Sequence, residues 1–316
     1  MNCMSFLKGA VVAAAVTLTG AALNAQNYPD RSVTWVIPFG AGGGTDQLAR
    51  LFTAEADRIF GQTVSVENRS GAGGVAGWQY ILGQPADGYT IFNASPTPII
   101  TLVSEEQPPI SPNDIAILGY LGNYAAVLIG APEDYNDWDG FVATSAKSPL
   151  TVGGTNSVLL GVANALSQAG VEAVYVSYPS TGEAVTDFLG GHIDLVATTE
   201  STAMTIVPEK GVALMNTSSI PLQPEVDEAL GGNILMPRDL GYKGIAFPRW
   251  VGVHPDTPED IQIKIAELIH EVAMDPTVQT AFAAAGSPIA YTSREDALKD
   301  FPELVELMRK AAGLLQ

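Results

Sequence analysis

The residues of this chain best placed to do chemistry are backbone amides, not side chains. Two glycine-rich loops lie about thirty residues apart, each after a β-like run and before a helix-like run. The first is Val36-Ile37-Pro38-Phe39-Gly40-Ala41-Gly42-Gly43-Gly44-Thr45-Asp46, and the second is Val66-Glu67-Asn68-Arg69-Ser70-Gly71-Ala72-Gly73-Gly74. Such a loop sets N–H groups at a helix N-terminus, where the partial positive charge favours an anion. On neighbouring parallel strands, two of them open onto the same sheet edge, where α/β folds bind ligands. One anionic group could then sit between two backbone nests. This is a binding device, with no nucleophile, metal or proton shuttle attached.

Side-chain chemistry finds less support. Gly40 and Gly42 begin a dinucleotide fingerprint, and Glu67 mimics its ribose-binding acid, but Thr45 stands where the third glycine belongs. No Gly-Lys-Ser/Thr follows, so there is no P-loop, and no G-x-S-x-G marks a hydrolase. The histidines are His192, in a glycine turn, His254, and His270, which lacks the second histidine of a zinc motif. No metal or cofactor is expected. Arg69 could clamp a carboxylate bidentately or pin its own loop through an ion pair, and the second is the simpler role. Asp46 could touch a ligand, but an acid in the first helical turn more simply stabilises that helix. Phe39, Trp78 and Tyr178 are the aromatic candidates, Phe39 first because it lies inside the loop.

Farther along, three strand-to-helix junctions carry hydroxyls and amides: Gly153-Gly154-Thr155-Asn156-Ser157, Tyr178-Pro179-Ser180-Thr181-Gly182-Glu183 and Thr198-Thr199-Glu200-Ser201. Each alone reads as ordinary N-capping. Three in a row, facing two glycine nests, point to a polar cleft.

These loops need a frame of alternating strands and helices. The chain has 316 residues, enough for two domains, and 47% hydrophobic residues, the content of a globular protein. With 34 acidic against 15 basic residues and a net charge of −19, it is a poor partner for nucleic acid or an anionic membrane. Lys8 followed by the apolar run Gly9–Leu23 reads as a secretory signal, with cleavage after Ala25, leaving residues 26–316. The only cysteine, Cys3, precedes that run, so the mature chain has no thiol.

Strands are predicted over Val33–Pro38, Thr63–Glu67 and Thr90–Asn93, with helices over Thr45–Phe60 and Val75–Leu82: a βαβαβ unit. After the Pro-rich stretch Gln107–Pro112 the pattern restarts. Strands are predicted over Ala125–Gly130, Leu150–Gly153, Ala173–Tyr178, Ile193–Thr198 and Val212–Met215, and helices over Ser157–Ala169, Glu183–Leu189 and Thr202–Glu209. A return strand, Gly244–Val253, precedes helices at Pro258–Met274, Thr277–Ala285 and Arg294–Leu315. The expected division is lobe one at 26–125 plus 246–316 and lobe two at 126–245, with the ligand cleft between them.

Tyr28-Pro29, the two glycine motifs in order, Ala86-Asp87-Gly88-Tyr89-Thr90, Leu189-Gly190-Gly191-His192-Ile193-Asp194 and Trp250-Val251-Gly252-Val253-x-Pro255-x-x-Thr257-Pro258 together resemble the Bug family. These are the extracytoplasmic receptors of tripartite tricarboxylate transporters, and the resemblance covers essentially the whole mature chain. It implies an α/β, two-lobed periplasmic-binding-protein (Venus flytrap) fold, each lobe a mostly parallel sheet flanked by helices. It also implies a receptor that holds a small organic acid and presents it to membrane permease subunits. The export signal and the lack of a nucleophile–base pair add the expectation of a periplasmic protein without turnover, and a monomer is expected. Carried over, Phe39, Gly40, Ala41, Gly42, Gly43 and Ser70, Gly71, Ala72, Gly73 are the carboxylate loops. Ser95, Thr155, Asn156, Ser157, Ser180, Thr181 and Glu200 complete the candidate ligand set. Lobe two departs from the family pattern: Thr155-Asn156-Ser157-Val158-Leu159 lacks the histidine often found after this loop, and Tyr178-Pro179-Ser180-Thr181 replaces a commoner glycine-rich turn. A tricarboxylate, a dicarboxylate, an aromatic acid and an amino acid therefore stay open as ligands. An exported nucleotide-dependent enzyme and a periplasmic sensor of the same fold are the competing functions.

Overall fold

The computed structural model describes residues 27–145, 150–207 and 209–315. The expected signal segment, 1–25, lies outside the described residues. The first unit runs β1 (Val33–Ile37), α1 (Gly44–Phe60), β2 (Val64–Asn68), α2 (Val75–Leu82) and β3 (Thr90–Ala94). β2 and β3 both pair in parallel with β1. α1 buries Leu48, Phe52, Ala56 and Phe60, the helical stripe read from the sequence. It ends where Gly61 takes a left-handed conformation (φ 68°) and its N–H closes on Asp57 O.

α3 (Thr97–Ser104) and β4 (Ala116–Tyr124) follow, neither of them predicted. The α3 sequence, TPIITLVS, is mostly buried and β-branched, so it shows no polar stripe by which to recognise a helix. β10 (Phe247–Val253) then runs antiparallel between β3 and β4, giving the order β2-β1-β3-β10-β4.

The second sheet uses β5 (Ala126–Gly130), β6 (Leu150–Gly154), β7 (Ala173–Ser177), β8 (Leu195–Thr199) and β9 (Val212–Asn216), in the order β7-β6-β8-β5-β9. β6 pairs in parallel with β7 and β8, and β5 runs antiparallel between β8 and β9. Both sheets therefore share one plan, with a single antiparallel strand in the fourth place. The helices here are α4 (Trp138–Ser145), α5 (Asn156–Ala169), α6 (Thr181–Leu189), α7 (Glu200–Ala203) and α8 (Pro224–Ala229). α4 and α8 were not predicted, and the helix expected over Thr202–Glu209 is the shorter α7 followed by turns. One residue, Ala125, separates β4 from β5, so the chain changes sheets there without a loop.

α9 (Glu259–Met274), α10 (Pro276–Ala284) and α11 (Arg294–Ala311) return to the first sheet; α9 and α10 pack on α1, and α11 packs on β4. Trp78, Phe92, Trp250 and Phe301 form one aromatic cluster there, with ring centroids 5.2–5.8 Å apart. The C-terminal turn, Ala312–Leu315, packs on α5 of the second lobe.

Candidate functional site

Four helices of eight residues or more, α1, α3, α5 and α6, begin where the two sheets face each other. Their first turns, or the residues just before them, line one cavity: Gly43, Gly44 and Thr45 for α1, Ser95 for α3, Thr155 and Ser157 for α5, Ser180 and Thr181 for α6. Phe39, Tyr124 and Thr199 complete the wall. No lysine, arginine or histidine is among these residues. The positive potential therefore comes from helix ends and hydroxyls, which suits an anion in a chain of net charge −19.

The cavity measures about 20 Å³, room for about one water. The lobes stand in direct contact around it. Gly40 N–H donates to Pro179 O at 3.2 Å, and Gly44 N–H reaches Thr181 Oγ1 at 3.5 Å. Asn156 Nδ2 donates to Thr101 Oγ1 at 3.0 Å. A two-carbon acid enters only if the lobes part.

A hydroxyl chain runs along the floor. Ser95 Oγ donates to Thr97 Oγ1 (3.2 Å), and Thr97 Oγ1 donates to Ser157 Oγ (2.8 Å). Tyr124 Oη donates to the same Ser157 Oγ at 2.5 Å. Ser157 Oγ thus accepts twice, which leaves its own proton to donate. Burial pushes the Tyr124 pKa up, against smaller opposite effects of Ser157, Ser95 and Arg249, so the phenol stays protonated as a donor.

The first loop is braced by Asp46. Its carboxylate accepts from Gly42 N–H (2.9 Å), from Arg50 Nε and Nη2 (3.1 and 2.9 Å) and from Asn68 Nδ2 (2.9 Å). Asn68 Nδ2 also reaches Phe39 O at 3.0 Å. Burial alone would raise the Asp46 pKa, but the Arg50, Gly42 and Asn68 hydrogen bonds hold it below the usual carboxylate range. The Gly42 amide, expected to face the ligand, is therefore spent on Asp46. The amides of Gly43 and Thr45 form no hydrogen bond among the described residues.

Of the predicted residues, Phe39, Gly43, Ser95, Thr155, Ser157, Ser180 and Thr181 meet at the cavity. Gly40, Ala41 and Gly42 are not part of the wall; Gly40 is half-buried and Ala41 and Gly42 are exposed. Ser70, Gly71, Ala72 and Gly73 are not part of this wall. Their loop holds positive φ at four successive residues, Gly71 (137°), Ala72 (45°), Gly73 (58°) and Gly74 (91°), and Thr101 Oγ1 sits 3.4 Å from Gly73 O. Asn156 reaches that loop's neighbour Thr101 instead of the cavity, its Oδ1 accepting from Ser177 Oγ at 2.7 Å.

Glu200, 3% exposed, is not part of the cavity wall and is engaged outside it. Oε1 pairs with Arg249 Nη2 at 3.0 Å and accepts from Ser287 Oγ, while Oε2 accepts from Ala125 N–H at 2.8 Å. Arg69 pairs with Glu67 and lies 4.2 Å over the Tyr80 ring, which leaves it the bracing role. That pair also occupies the acid of the dinucleotide reading. His270 stacks on Tyr291, and among the described residues no three His, Cys, Asp or Glu are grouped to hold a metal.

The sequence reading missed Tyr124 and Thr199 as wall residues. Thr199 lies in a junction it had singled out; Tyr124 ends an unpredicted strand and carried no local signal.

A family profile described as "Tripartite tricarboxylate transporter family receptor" matches residues 48–306. The chain is 27% identical to protein BugT of Bordetella pertussis over 285 residues, 84% of each chain. Among solved structures it resembles MatC of Rhodopseudomonas palustris with bound malate (TM-score 0.79, 20% identity, 90% of this chain and 100% of that one). It also resembles a second R. palustris protein with adipate (TM-score 0.81, 21% identity, 91% and 99%). The fold is that of a two-lobed periplasmic binding protein, as in the solved structure of periplasmic binding protein BugD (TM-score 0.76, 21% identity, 90% of this chain and 98% of that one). No helix among the described residues is long and apolar enough to cross a membrane.

Proposed function

The chain belongs to the tripartite tricarboxylate transporter receptor family, and on that premise we propose that it captures a small carboxylated molecule between its lobes and delivers it to membrane permease subunits. One observation carries this reading: four helix N-termini converge on a hydroxyl-walled cavity between two lobes, with no cationic side chain in the wall. Each N-terminus offers partial positive charge; side-chain oxygens take the first-turn amides of Thr97, Ser157 and Glu183, which leaves those of Gly43 and Thr45 on offer. The malate and adipate of the similar structures support the same ligand class.

In this reading the amides of Gly43 and Thr45 take one carboxylate, with Ser157 and Thr181 as hydroxyl donors; the Thr199 hydroxyl is held by Ser201 and Thr202. Phe39 and Tyr124 fill the apolar side. The lobes part to admit the ligand and close on it again, with Gly44 and Thr199 meeting beside the filled cleft; the second loop, Ser70 to Gly73, lies next to the first in the same lobe, and Asp46 keeps the first loop in shape from behind. Glu200 has no part in ligand contact. Lobe one is 26–125 plus 246–316 and lobe two is 126–245, in accord with the two sheets. Residues 1–25 are an export signal, the mature protein is a periplasmic monomer, and it turns nothing over.

A thermal-shift screen of organic acids tests this. Ligand at about 100 times its dissociation constant adds roughly 2.7 kcal/mol to stability. A shift with one or more di- or tricarboxylates and none with nicotinamide dinucleotides is expected. A shift with dinucleotides alone would favour the enzyme reading.

A further inference from the structure

Every segment that joins the lobes meets at the Glu200 carboxylate. Glu200 opens α7 in the second lobe. Its Oε2 takes the N–H of Ala125, the single residue between β4 and β5. Its Oε1 takes Arg249, in the return strand β10, and the hydroxyl of Ser287, between α10 and α11 of the first lobe. Arg249 in turn donates through Nη1 to Asn123 O in β4 at 3.1 Å and lies 5.0 Å over the ring of Tyr124, a cavity residue. Both charges are buried, with side-chain exposures of 3% and 4%.

A buried pair of this kind adds little net stability compared with an apolar pair, because desolvation offsets the attraction. It does fix geometry. Charge-assisted hydrogen bonds are short and directional, and here they tie both crossing strands to one point. The Ser287 bond runs from lobe to lobe and depends on their relative position.

We propose that Glu200 and Arg249 are positioning residues of the hinge, a clasp completed by Ser287 that favours the closed arrangement of the lobes. They set ligand affinity through the closed population and never touch the ligand. The inference rests on the receptor reading only in requiring that the lobes open and close; it does not depend on which acid binds.

The test is a distance measurement without ligand. Nitroxide labels at Ala54→Cys on α1 and Thr186→Cys on α6, both exposed positions, report the separation of the lobes by pulsed electron resonance. Cys3→Ser removes the only native thiol. Glu200→Gln places an N–H₂ opposite existing donors. Ser287→Ala deletes one hydroxyl and leaves the ion pair intact, so it decides the matter if Glu200→Gln does not fold. Losing a hydrogen bond to a charged group should lower the closed-to-open ratio about tenfold, seen as growth of a longer-distance population. An unchanged distance distribution in folded Ser287→Ala, with only a lower melting temperature, would mean the cluster is structural and overturn the proposal. Because no ligand is present, failure of the carboxylate reading would leave this result untouched.

Discussion

Adding a methyl group at Gly44 should prevent closure without harming the fold. Gly44 starts α1 with an ordinary backbone conformation, so alanine costs no strain there and has up to about 1 kcal/mol better helix propensity. The new Cβ would nonetheless overlap Thr199 Oγ1 of the opposite lobe, and would stand 3.1 Å from Ser201 Oγ and 3.2 Å from Thr199 Cβ. Thr199 cannot turn aside freely, since its hydroxyl is held by Ser201 and Thr202 at 3.2 Å each. Overpacking of this kind costs about 1–3 kcal/mol, or about 5- to 150-fold in affinity. Gly40→Ala is the control. Its Cβ would overlap only the end of the flexible Glu183 side chain, which can move away, and would stand 3.2 Å from Ser180 Oγ and 3.3 Å from Ser180 Cβ, so the loss of affinity should be smaller than in Gly44→Ala. Calorimetry with the acid that gives the largest thermal shift is the assay. Gly44→Ala should melt no lower than wild type yet bind weakly, and adding Thr199→Ala should restore part of the loss. Wild-type affinity in Gly44→Ala would refute the inference that binding requires these two surfaces to meet.

Other outcomes follow from the same geometry. Ser157→Ala should weaken binding about tenfold or more, because a donor to a charged group is lost; Tyr124→Phe should weaken it less, and calorimetry on both ranks them. Gly73→Val should reduce affinity more than Arg69→Ala on the same ligand. Valine is strained at φ 58° and its Cβ overlaps Thr101 Oγ1, whereas Arg69 is engaged with Glu67 and Tyr80. The Asp46 pKa is lowered in the folded chain, so its contribution to stability is full above the unfolded value near about 3.9 and is lost as pH falls through the folded one. Urea midpoints should therefore drop below about pH 4 in wild type, while Asp46→Asn should be less stable at neutral pH and flatter with acid. A chelator should leave ligand affinity unchanged.

Much of the frame was legible because it is local. The α1 stripe and its Gly61 stop, the βα alternation around the first loop, and the hydroxyl-rich junctions at 155–157 and 180–181 all show in short windows of sequence. What was hidden depends on distant partners. The eight residues of α3 lack a polar face because the second lobe covers the side a surface helix would expose. β4 and β10 pair across more than a hundred residues, and only that pairing brings Tyr124 to the cavity. Asp46 read as a helix-stabilising acid; that its carboxylate consumes the Gly42 amide and anchors Asn68 requires the register of β2 beside β1. Glu200 sits in a polar junction like its neighbours, and nothing nearby signals that Arg249, forty-nine residues on, claims it.

Convergent helix ends favour a carboxylate over its neutral amide. Titration of residues 26–316 with malate, adipate and citrate, each beside its neutral amide, separates the two. Saturable one-to-one binding of at least one acid, no binding of the matching amide, and weaker binding of that acid in Gly44→Ala is the result expected. Equal binding of acid and amide would contradict it, as would binding of the amide alone.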